Sequence, residues 1–90
     1  MFLLSAHVSS ENLSAIRGVL SKLVDGQVTA VPDGLRVEGT MEGDDARDVN
    51  RRLLSALRAI ERRTRLRSEW TGDGVTCRFF DYALKSQRPG

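Results

Sequence analysis

The sequence predicts an α+β domain of the ferredoxin-like class, a split βαβ sandwich in the order βαββαββ. Three observations carry this. Two amphipathic helical stretches are separated by a hairpin, a third period-two segment leads the chain, and a strong turn sequence splits the end into two more strands. In that arrangement both helices lie on one face of an antiparallel sheet with strand order 4-1-3-2. The fifth strand then pairs beside the fourth or reaches across to another subunit.

Phe2, Leu4, Ala6 and Val8 alternate with Leu3, Ser5 and His7, which reads as a strand with one buried face. Ser9 or Ser10 is the expected cap of the first helix, with Glu11 in its first turn. Leu13, Ile16, Leu20, Leu23 and Val24 form its buried stripe, interrupted by Gly18. Asp25-Gly26 is its stop signal. A strand over 27–31 follows. Pro32-Asp33-Gly34 then makes a turn, because proline presets φ and glycine accepts positive φ. In the returning arm, Leu35, Val37, Gly39 and Met41 alternate with Arg36, Glu38 and Thr40, and Gly39 points to a bulge or a closely approaching neighbour.

The second helix is the best-marked element. Gly43-Asp44-Asp45 supplies the cap, and Asp45 and Asp48 put negative charge where the first-turn amides and the helix dipole favour it. These roles account for the acidic cluster without a metal. Val49, Leu53, Ala56, Leu57 and Ile60 recur at helical spacing and form the expected buried side, with Ala46 and Leu54 at its margins. The period then changes to two over 64–70. Thr71-Gly72-Asp73-Gly74 joins this strand to a last one over 75–84. Residues 1–85 are thus expected to form one domain, with residues 86–90 a disordered C-terminal tail.

Composition narrows the function classes. The chain has 90 residues, 40% hydrophobic and 29% charged, as an ordinary folded domain has. One cysteine, Cys77, excludes an internal disulfide framework and is expected to be a small buried hydrophobe. One histidine and one cysteine do not suggest a zinc site, and no cofactor or metal is expected. The apolar run Met1–Leu4 is too short for a secretory signal or a membrane span, so a cytoplasmic setting is expected. Charge is uneven. Residues 1–43 carry three cations against five acids, a net −2, so the remainder is +4 in a chain of +2.

Three surfaces are candidates. The first is the last strand, where Val75, Cys77 and Phe79 point one way and Phe80, Tyr82 and Leu84 the other. Apolar groups on both faces predict a homodimer with Phe79, Phe80, Tyr82 and Leu84 in its interface, and a bulge at Phe79-Phe80 is the alternative. The leading expectation is therefore a non-enzymatic interaction domain acting through self-association. The second candidate is a stripe of Arg47, Arg51, Arg58 and Arg62 along about 22 Å of helix, able to follow nucleic-acid phosphates. No aromatic residue interleaves with it as a stacking platform. The third is the open sheet face, where His7, Arg36 and Arg67 could hold a small anion or serve catalysis. No acid is placed by sequence to orient His7, and no nucleophile turn or phosphate loop is present. Cross-strand pairs of Arg36 or Arg67 with Glu38 or Glu69 would account for that face without function. Trp70 reads as a rim-of-core residue.

Overall fold

A computed structural model describes the backbone of residues 1–89 and the side chains of residues 1–85. The elements are β1 (Phe2–Ser9), α1 (Leu13–Leu23), β2 (Asp25–Val31), β3 (Gly34–Met41), α2 (Ala46–Ile60), β4 (Arg65–Gly72), β5 (Val75–Phe80) and β6 (Ala83–Pro89). They build one six-stranded antiparallel sheet in the order β2-β3-β1-β4-β5-β6. β5 takes the place beside β4. The sixth strand corrects the expected βαββαββ order, because the stretch read as one strand over 75–84 turns back at Asp81-Tyr82. Asp81 adopts φ 55°, a left-handed conformation that a short polar side chain tolerates better than a branched one. The expected tail at 86–90 enters β6 as far as Pro89, and Gly90 lies outside the described residues.

The core lies between the sheet and the helices, which rest chiefly on β2, β3 and β4. The alternation of β1 is as expected: Leu4, Ala6 and Val8 are buried, while Leu3 is exposed and Ser5 and His7 are half-buried. Leu35, Val37 and Met41 from β3, Leu66 and Trp70 from β4, and Phe79 from β5 complete the sheet side. Trp70 is fully buried, not at the rim. Gly39 has the close neighbour that its position suggested. It stands opposite Gly26, and a Cβ on Gly39 would lie 2.5 Å from the Asp25 carbonyl oxygen. Gly26 is therefore required by strand approach and has no positive φ as a helix stop, since α1 already ends at Leu23.

Both helices shift from their expected faces or caps. In α1 the cap is Asn12, whose side chain accepts the Ala15 amide at 3.4 Å, while Ser9 stays in β1. Leu23 is 40% exposed, and Val24 is buried just past the helix. In α2 the Asp45 carboxylate accepts the Asp48 amide at 2.7 Å, as the capping pattern requires. The buried residues are Ala46, Val49, Asn50, Leu53, Leu54 and Leu57, whereas Ile60 is 50% exposed. The apolar stripe is thus turned toward Leu54 and Asn50. An amide in the core is tolerable only when its polar atoms are paired, and here they are. Asn50 Oδ1 accepts from Ser68 Oγ at 2.6 Å and from Trp70 Nε1 at 3.1 Å, and its Nδ2 donates to the Asp81 carbonyl at 2.8 Å.

Replacing Asn50 by leucine keeps similar bulk but leaves the Ser68 hydroxyl and the Trp70 indole N–H without an acceptor. At about 1–3 kcal/mol for each stranded group, N50L is expected to lose about 3 kcal/mol in chemical denaturation followed by Trp70 fluorescence. A loss below about 1 kcal/mol would show that the network is not what holds these groups.

Candidate functional site

The side of the sheet away from the helices brings the third candidate set together. Strand register places His7 opposite Arg36 on β3 and opposite Arg67 on β4, and Arg67 opposite Phe80 on β5. One row across four strands therefore reads Arg36, His7, Arg67, Phe80. Adjacent strands lie about 4.8 Å apart, so the three basic groups span only about 10 Å of backbone. They line a shallow groove of about 470 Å³ with Ser5, Glu69, Arg78 and Lys85.

The ion pairs expected across strands do not form as such. Arg36 Nε lies 3.3 Å from Glu38 Oε1 along the same strand, and Glu69 pairs across strands with Arg78, 2.8 Å away, rather than with Arg67. Arg67 instead stacks its guanidinium over the Phe80 ring at 5.1 Å, and Lys85 approaches the same ring at 5.9 Å. Among the described residues neither Arg67 nor Lys85 has a carboxylate partner. A cation on a ring face keeps most of its charge available to a ligand, whereas a carboxylate partner would neutralise it. The centre of the groove is therefore electropositive.

His7 has the acid that the sequence did not supply. Its Nε2 donates to Asp33 Oδ1 at 3.0 Å, since a carboxylate only accepts. Asp33 sits in the two-residue turn between β2 and β3, and the antiparallel pairing of β3 with β1 carries that turn to the end of β1 beyond His7. The hydrogen bond from His7 and then its charge hold the Asp33 carboxyl below its ordinary value of 3.8. This is an orienting contact. The groove offers no nucleophile beside the histidine: Ser5 shares the face but makes no hydrogen bond with His7 among the described residues.

The other two candidate sets are divided by the fold. Phe79 is 3% exposed in the chain's own core, and Phe80 lies on the opposite, open face. Tyr82 reaches toward α2, its hydroxyl 3.2 Å from Ser55 Oγ and its ring under the Arg58 guanidinium at 5.2 Å. Leu84 stands opposite Phe79 on the helix side and is 37% exposed. The alternative of a bulge at Phe79-Phe80 is not found there: the pairing of β5 with β4 is regular through Phe80, and the irregularity lies in the pairing with β6, between Arg78 and Phe79. Cys77 is a free thiol, half-buried against the core rather than buried. Of the helical arginines, Arg51 pairs with Asp48 at 2.7 Å, and Arg58 reaches Asp81 at 3.3 Å and the Thr64 carbonyl at 3.0 Å. Arg47 is exposed in the first turn of α2, whereas Arg62, expected on the helical stripe, is exposed in the turn beyond it, because α2 ends at Ile60 with Glu61 as its cap.

Asp81 is the residue that sequence reasoning missed. Its carboxylate accepts the Leu66 amide at 2.9 Å and meets Arg58 and Arg65 at 3.3 and 3.4 Å. Among the described residues no cluster of histidine, cysteine and carboxylates can hold a metal ion, and no helix is long and apolar enough to cross a membrane.

The pairing of His7 with Asp33 has a defined pH signature. A depressed Asp33 value means that the pairing contributes at and above the ordinary carboxylate range and disappears as pH falls through the folded-state value. A carbon-detected titration of Asp33 is expected to give a midpoint below 3.8, and His7→Gln should return it toward that value. An unchanged midpoint in the variant would show that the two side chains are not paired. Compared with known proteins, the chain matches no family model, no curated protein and no solved structure.

Proposed function

We propose that this is a non-enzymatic, ferredoxin-like domain whose open sheet face binds an anion, a phosphate or a carboxylate, between Arg67, His7 and Arg36. The order β2-β3-β1-β4 of the first four strands supports the split βαβ reading, with the β5–β6 hairpin as an extension. The observation that carries the binding reading is the state of Arg67. It closes the row of basic groups next to His7, is held by Phe80 and has no carboxylate partner among the described residues. A guanidinium presents a planar fork that matches two oxygens of a phosphate or carboxylate.

Titration of inorganic phosphate into labelled protein tests it, read at the His7 ring protons. Saturable shifts are expected, and Arg67→Ala should weaken them by about tenfold or more, the worth of one charge-assisted hydrogen bond. Arg67 is exposed, so the variant should keep its melting temperature. Shifts that do not saturate, or that survive in R67A, would remove the proposal.

Self-association is a second reading, favoured by one observation. Tyr82 and Leu84, 45% and 37% exposed, sit on the helix side of the last hairpin, beyond the strands on which the helices chiefly rest. Sedimentation at micromolar concentration should then give twice the chain mass of 10.0 kDa, and Leu84→Glu should restore the monomer. A 10.0 kDa species in the unsubstituted protein rejects this reading.

A further inference from the structure

We propose that the anion site is one end of a longer basic track that binds single-stranded polynucleotide through its phosphodiester backbone. This inference rests on the anion-binding reading above. Its basis is continuity. A second groove, of about 280 Å³, is lined by His7, Asp33, Arg65, Arg67 and Phe80, and a third, of about 570 Å³, by Arg58, Arg62, Arg63, Arg65 and Asp81. His7, Arg67 and Phe80 belong to both the open-face groove and the second, and Arg65 to both the second and the third. The three grooves therefore join, leading from the open face around the end of the sheet to the C-terminal turn of α2.

Charge along this path is in excess. In the third groove four guanidiniums surround one carboxylate, Asp81, which Arg58 and Arg65 share. Arg63 is offset by Glu11 at 3.2 Å, and Arg62 has no carboxylate partner among the described residues. The chain as a whole is only +2, so the excess is local to this end of the molecule. A run of cations of this kind attracts a polyanion by releasing its condensed counterions.

Shape selects among polyanions. The path turns from one side of the sheet to the other within the width of the domain. A duplex, stiff over about 150 base pairs, cannot follow that turn, and a single strand can. Phe80, at the entrance on the open face, is taken up by Arg67 and Lys85, so it serves to hold the cations rather than as a stacking platform. Binding is therefore led by the backbone and indifferent to sequence. Of the expected stripe, Arg58 on α2 and Arg62 in the turn after it lie on the track, and Arg47 and Arg51 do not.

The test compares inorganic phosphate, read at His7, with a fluorescent twelve-nucleotide oligouridine, read by anisotropy at 50 mM salt. The oligonucleotide is expected to bind at least about a hundredfold tighter than phosphate, as several further phosphate–guanidinium pairs imply. Its affinity should fall steeply with salt. Arg62→Ala and the double variant Arg62→Ala/Arg65→Ala should weaken oligonucleotide binding and lower the salt slope by about 0.7 for each phosphate no longer neutralised. Arg62→Ala should leave the phosphate response unchanged, whereas Arg67→Ala should reduce both and Arg47→Ala neither. R62A, a substitution of an exposed side chain, keeps the test independent of any folding defect in the double variant. If phosphate saturates but the oligonucleotide binds no tighter, or R62A leaves its affinity and salt slope unchanged, the track is wrong and the anion site stands. Tighter binding of a duplex or of polyglutamate also overturns it, and no response to either phosphate or oligonucleotide removes both proposals.

Discussion

The structure depends on the clamp that Asn50 and Asp81 form between α2, β4 and the last hairpin. Where β5 turns away after Phe80, the pairing with β4 would end at Arg67. Asp81 prolongs it by one step. Its backbone N–H donates to the Leu66 carbonyl at 2.7 Å, and its carboxylate accepts the Leu66 amide in place of a strand carbonyl. Its own carbonyl then accepts from the buried Asn50 amide, which in turn holds Ser68 and Trp70. Buried polar networks confer specificity only when every member is paired. Both oxygen lone pairs of Asn50 are used, so the network fixes α2 on β4 and aligns the hairpin with both.

That alignment decides what the open face presents. With β5 locked in register, Phe80 falls beside Arg67 and Arg78 beside Glu69. The carboxylate Glu69 is thereby occupied at 2.8 Å by Arg78, and Arg67 is left to the ring. At the other end of the clamp, Asp81 balances Arg58 and Arg65 from beneath, with 17% of its side chain exposed. The same residue that completes the hydrogen-bond ladder thus sets how much positive charge the sheet end retains. Fold and electrostatics are coupled through one carboxylate.

Much of this was legible in the residues. The period-two alternation of β1 and β3, the Asp45 cap and the Asp73-Gly74 turn, with φ 53° and 74°, are local patterns whose causes lie within a few residues. Strand register then follows, which is why His7, Arg36 and Arg67 could be placed on one face from the alternation alone. What escaped was non-local. The expected buried side of α2 left Asn50 out, since amides favour solvent, and only Ser68, Trp70 and Asp81 together make its burial acceptable. Asp81 within an aromatic run was itself a signal for a turn, since aspartate is depleted in strands and tolerates positive φ. The pairing of Asp33 with His7 needed the sheet order, because the two are 26 residues apart. Ile60 kept the helical period yet, as the last residue of α2, is 50% exposed.

Native-state hydrogen exchange at three protons tests the clamp most directly: the Leu66 and Asp81 amides and the Trp70 indole N–H. If the clamp holds the hairpin to the body of the domain, all three exchange only through global unfolding, with the same free energy as the central β1 amides. Fast exchange at Leu66 and Asp81 while β1 remains protected would show a hairpin that opens by itself. The register that places Phe80 beside Arg67, and the charge pattern that follows from it, would then have no fixed basis.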